Sequence, residues 1–104
     1  MQSLSELELP ASISEATEAD EFIRFWIADG EDHVALRVGA MGEHEVSQWG
    51  MILADISVHI IHALRLDGSP KSEEAARAEM ERAYLERLKD KGASYSGSIL
   101  GVKQ

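Results

Sequence analysis

Residues 43–66 read EHEVSQWGMILADISVHIIHALRL, and the fold turns on them. This is the longest apolar run in the chain and carries three of its four histidines. At about 100° per residue, Val46, Trp49, Ile52, Leu53, Ile56, Ile60, Ala63 and Leu64 share one broad face of a helix. The far side holds Gly50, Ala54, Ser57, Val58 and Ile61, small or apolar where a solvated face would carry Lys and Glu. Such a helix is expected to be covered on two sides. A narrow polar strip of Gln48, Asp55, His59 and His62 runs between the faces. Some 20 apolar residues suffice to cross a bilayer. Ionisable groups near the middle of the strip would be costly there, which argues against a membrane span.

The chain has 104 residues, enough for one domain, and a core this small often gains support from a partner subunit. It contains no cysteine, which removes disulfides, thiolate metal sites and thiol nucleophiles. No stretch near the start pairs a basic region with an apolar one, so a cytoplasmic location is the default expectation. The net charge of −9 is concentrated in residues 1–32, where nine acids face the single base Arg24. An acidic surface repels phosphate and argues against nucleic acid or anionic lipid as partner. The acidic segment suits either docking on a basic partner or simple solubilisation as a leader.

Residues 1–19 form an expected flexible leader broken by Pro10. A single α+β domain is expected over 20–92. It opens with FIRFWIA, dense in aromatic and β-branched residues, followed by Asp29-Gly30, a strong hairpin signal. His33 to Val38 then alternates again. With a tight turn at Asp29-Gly30, Phe25 faces Val34, Ile23 faces Leu36, Trp26 meets His33 and Arg24 meets Ala35. A four-residue loop from Asp29 to Asp32 would keep the same faces. One face is continuously apolar; the other, with Phe22, Arg24, Trp26, His33, Ala35 and Arg37, is mixed. The apolar face is expected to receive the Trp49/Leu53/Ile56/Ile60 side of the helix. Asp67-Gly68 stops that helix. A second helix, capped by Ser69 or Ser72, runs to about Lys91 with a thin stripe of Ala76, Met80, Ala83, Tyr84 and Leu88. Residues 93–104 form a flexible Gly/Ser-rich tail in which Ser98 to Val102 could add a strand.

Asp55, His59 and His62 are spaced i, i+4, i+7, which stacks them within reach of one divalent ion. The alternative is a hydrogen-bonded Asp55–His59 couple that fixes one imidazole tautomer. Trp26 and Trp49 could line a small-ligand pocket or simply pack. Arg24 and Arg37 could clamp a carboxylate or phosphate, or pair with the acidic leader. No phosphate loop, dinucleotide fingerprint or nucleophile-plus-base set is present, so nothing positive supports an enzyme.

Ile23, Arg24, Phe25 and Trp26, with Trp49, Gly50, Leu53, Asp55 and His59, resemble a family of short alphaproteobacterial proteins that carries only a domain-of-unknown-function label. The resemblance spans about Glu21 to Leu64. It implies a compact α+β domain without known activity, and it leaves His62 outside the shared pattern.

Together these features predict a ββαα domain: an antiparallel hairpin packed on a long central helix, then a second amphipathic helix. Homodimerisation or higher self-association is expected on the Gly50/Ala54/Ser57/Val58/Ile61 face, with symmetric pairing the commonest arrangement. A non-enzymatic interaction module is the leading function. A metal- or ligand-binding protein using Asp55 and His59, with His62, is the alternative.

Overall fold

A computed structural model describes residues 3–90 and the backbone of 97–101. After Pro10, one short turn of helix, α1 (Ala11–Ser14), interrupts the leader. Strands β1 (Ile23–Ala28) and β2 (Glu31–Val38) follow, then the long helix α2 (Glu45–Leu66), helix α3 (Glu73–Lys89) and strand β3 (Gly97–Gly101). The ββαα order expected from the sequence is the one observed.

The hairpin takes the tight-turn register. Ile23 pairs with Leu36, Arg24 with Ala35, Phe25 with Val34 and Trp26 with His33. Asp29 and Gly30 both have positive φ, 52° and 81°, as a two-residue turn of type I′ requires. The pairing continues one residue further, because the Arg37 N–H donates to the Phe22 carbonyl at 3.0 Å. Strand β3 lies on the other edge of β2 and runs parallel to it, with Leu36 opposite Ile99. The C-terminal strand thus forms within the same chain. Residues 93–96 and 102–104 of the expected flexible tail lie outside the described residues.

Helix α2 ends in a Schellman motif. The Ser69 N–H reaches the Leu64 carbonyl and the Gly68 N–H reaches that of Arg65, each at 3.0 Å. Gly68 supplies the left-handed residue at φ 97°. The chain then reverses into α3, whose N-cap is Ser72: its hydroxyl accepts from the Ala75 N–H at 3.1 Å. Glu73 and Glu74 in the first turn and Arg87 and Lys89 in the last complement the helix dipole.

Helix α3 lies over the small-residue face of α2. Gly50, Leu53, Ala54, Ser57 and Ile61 on one side and Arg77, Met80, Glu81 and Tyr84 on the other line a groove of about 240 Å³ between the helices. The face on which self-association was expected is therefore partly occupied by α3, with Val58 left 62% exposed. A thin stripe suffices, because small residues on α2 leave room for Met80 and Tyr84 to come in. The groove stays loose, and nothing lies within 4 Å of where a Cβ on Gly50 would sit. Ile61, at 8% exposure, is the one buried hydrophobic side chain among the described residues.

Hairpin and helix meet differently from the expected face-to-face packing. No Cα of β1 or β2 comes within 8 Å of one in α2. Contact is confined to the first turns of α2, where the Phe22 ring meets Trp49 edge-on with centroids 6.3 Å apart. By strand alternation Phe22 belongs to the mixed face, with Arg24 and Trp26. The apolar face of the hairpin is consequently turned away from the chain's own α2. The Cα radius of gyration is 16.0 Å, against about 13 Å for a compact domain of this length.

Candidate functional site

Where the sheet hands over to α2, one carboxylate organises the junction. Glu45 is the first residue of the helix, behind His44, whose side chain makes no cap. Its oxygens accept from the Gly39 N–H at 2.9 and 3.0 Å, the Met41 N–H at 3.1 Å and the Trp49 indole N–H at 3.0 Å. The Gly39–Gly42 loop can fold its amides around the carboxylate because Gly39 and Gly42 take φ of 88° and 81°. These donors hold the Glu45 carboxyl below the ordinary glutamate range, the Gly39 amide contributing most, then the Trp49 indole and the Met41 amide, against an opposing desolvation. Loop, helix and, through Trp49, Phe22 are thereby locked at one angle.

Glu45 was not singled out as a fastening residue from the sequence, which shows no strong N-cap signal here. The available clue was a two-glycine loop followed by a Glu and a Trp four residues apart. That spacing puts the two side chains one above the other on a helix.

The four expected ligand-binding residues are scattered. Arg24 is tied to carboxylates, at 2.9 Å from Glu21 and 3.8 Å from Glu6 of the leader. Arg37 donates to the Glu21 carbonyl at 3.0 Å and braces the entry to β1. Both arginines are thus engaged by Glu21 ahead of β1, and Arg24 also by Glu6 of the leader. Trp26 is half-buried beside His33, and Trp49 belongs to the Glu45 junction. The groove flanking Arg24 and Trp26 is walled by leader residues 5–9.

On α2, Asp55, His59 and His62 are all exposed. No hydrogen bond joins Asp55 to His59, so the expected couple does not form in this chain. His62 Nδ1 instead lies 3.8 Å from Glu73 at the start of α3, which Arg65 also approaches at 3.6 Å. No group of three ligating side chains close enough to hold an ion forms among the described residues.

What α2 does present is apolar surface. On the side away from α3, Ile56, Ile60 and Leu64 are 38–46% exposed, while Leu53, which lines the α2–α3 groove, is 40% exposed. On the hairpin's outward apolar face, Phe25 and Ile27 are 56% and 68% exposed. By length and composition alone α2 could also cross a membrane.

The sequence pattern of DUF5076, a domain of unknown function, matches residues 6–92. The chain belongs to that family. The DUF5076 match takes in the leader, the hairpin and both long helices, and so extends beyond the Glu21–Leu64 resemblance. No curated protein and no solved structure matches the chain.

Proposed function

We propose that this DUF5076 chain is a self-associating interaction module without catalytic activity, and that its folded unit is completed by a second copy. The observation that carries this is the half-exposed Ile56/Ile60/Leu64 face of α2 in a chain with a single buried hydrophobic side chain, Ile61, among the described residues. Contiguous apolar patches of this kind on soluble proteins mark association surfaces. Covering them is the dominant favourable contribution to assembly. The proposed location is cytoplasmic. The acidic leader, by repelling phosphate, disfavours nucleic acid and anionic lipid as partners.

Sedimentation equilibrium tests the proposal. Wild-type protein is expected at twice the chain mass at micromolar concentration. Ile56→Glu places a charge in the interface and is expected to weaken dimerisation by about 100-fold or more, roughly 3 kcal/mol. A wild type at the single-chain mass throughout would end the proposal. A competing function follows from the Asp55, His59 and His62 spacing: a divalent ion drawn in with solvent or a partner's ligand. Metal analysis of untagged protein decides it. A stoichiometric ion that disappears in the His59→Ala/His62→Ala variant would replace the interaction module by a metal-binding protein.

A further inference from the structure

We infer that the two copies exchange their sheets, each laying the apolar face of its β1–β2 hairpin on α2 of the other. This rests on the self-association proposed above and specifies its geometry. Two partly exposed apolar faces exist in one chain. The hairpin offers Phe25 and Ile27, 56% and 68% exposed, beside half-buried Val34 and Leu36; α2 offers Ile56, Ile60 and Leu64, 38–46% exposed. A helix laid on a sheet is a standard way to close both kinds of face.

Within one chain the two faces do not meet, since no Cα of β1 or β2 lies within 8 Å of one in α2. The connection from β2 to α2 is residues 39–44, and it is held at both ends by the Glu45 carboxylate on Gly39 and Met41. The Phe22–Trp49 contact adds a second point of fixation and sets the mixed face of the hairpin, not the apolar one, toward its own helix. A short, fixed connection that prevents closure within a chain is the usual origin of exchange between chains.

The area is sufficient. The chain exposes 9391 Å², whereas a folded monomer of this mass exposes about 5,800 Å². Part of the roughly 3,600 Å² surplus lies on the leader. Standard interfaces bury about 800 Å² per partner, well under that surplus. Under two-fold symmetry the same contact forms twice, so one geometry covers all four faces. Pairing α2 against α2 would leave both sheets bare.

The chain has no cysteine, so introduced thiols report without background. Phe25→Cys chains carrying a mass tag are refolded together with untagged Ile56→Cys chains and oxidised. A disulfide between the two different chains is the expected main product. The doubly substituted chain is expected to give covalent dimers. Ile27→Cys with Ile60→Cys, two further positions exposed in the single chain, repeats the test if the first pair misfolds. An intrachain disulfide in the double variant would overturn the exchange, because the sheet would have reached its own helix. Predominant Ile56→Cys homodisulfides would overturn it in favour of helix-to-helix pairing, with the interaction module left standing. A wild type that stays monomeric and floats with phosphatidylcholine vesicles would overturn both by assigning the α2 face to a membrane surface.

Discussion

Ile61→Ala is expected to destabilise the protein by about 2–5 kcal/mol, the range for truncating a buried Ile. The cost is large because Ile61 sits where α3 crosses α2, in the groove that Arg77 and Met80 also line. Total stabilities of small domains are only about 5–15 kcal/mol, so the variant should unfold at clearly lower urea. Protein concentration must be matched, since dimerisation contributes to apparent stability. Val58→Ala supplies the contrast. Val58 is 62% exposed on the same helix, and its truncation is expected to cost within about 0.5 kcal/mol. If the two variants unfold alike, the α2–α3 contact is not where the fold's stability resides.

Glu45→Gln is expected to loosen the sheet from α2 while leaving each element formed. The amide keeps one acceptor oxygen where the carboxylate serves two loop amides and an indole. It also brings donors of its own into a nest of N–H groups. The melting temperature should fall at pH 7, and the Trp49 indole proton should lose its hydrogen-bonded chemical shift while that of Trp26 does not change. The pH dependence has a definite sign. The folded-state pKa of Glu45 is depressed, so its contribution is fully present above the unfolded value, about 4.3. It is lost as pH falls through the lower folded value. The gap between wild type and Glu45→Gln should thus hold steady at neutral pH and close in acid. A gap that persists unchanged at pH 2 would mean that the side chain's shape, and not its charge, fastens the junction.

Much of the local structure was legible in the residues. The hairpin and its two faces followed from Asp29-Gly30 and strand alternation, with the choice between a tight turn and a four-residue loop left to the structure, and the helix stop followed from Asp67-Gly68. Both are decided by backbone preferences over a few positions. The packing partners were not legible. The helical wheel identified two apolar faces on α2, yet nothing in the spacing says which face a thin-striped α3 will choose. It chose the side with Gly50, Ala54 and Ser57, where small residues admit a neighbouring helix. The Glu45 junction escaped notice because it depends on loop amides converging in space, and amides leave no mark in a sequence. Asp55 and His59 look like a pair by spacing, but pairing needs burial to favour it over water, and both are exposed here.

The leader's position along β1 has a consequence for how this protein stays in solution. β1 is an edge strand, and the segment FIRFWI is six residues of high β-propensity with a single charge and no proline. Such segments recruit identical copies strand to strand and seed fibrils. Arg24, the one charged gatekeeper in that segment, is held by Glu21 and Glu6, and leader residues 5–9 run alongside the strand. Two such edges approaching each other bring together two concentrations of negative charge before any backbone bond can form. The repulsion weakens with acid or salt, so strand-to-strand aggregation at β1 is expected to quicken in acid or high salt, as thioflavin fluorescence would report.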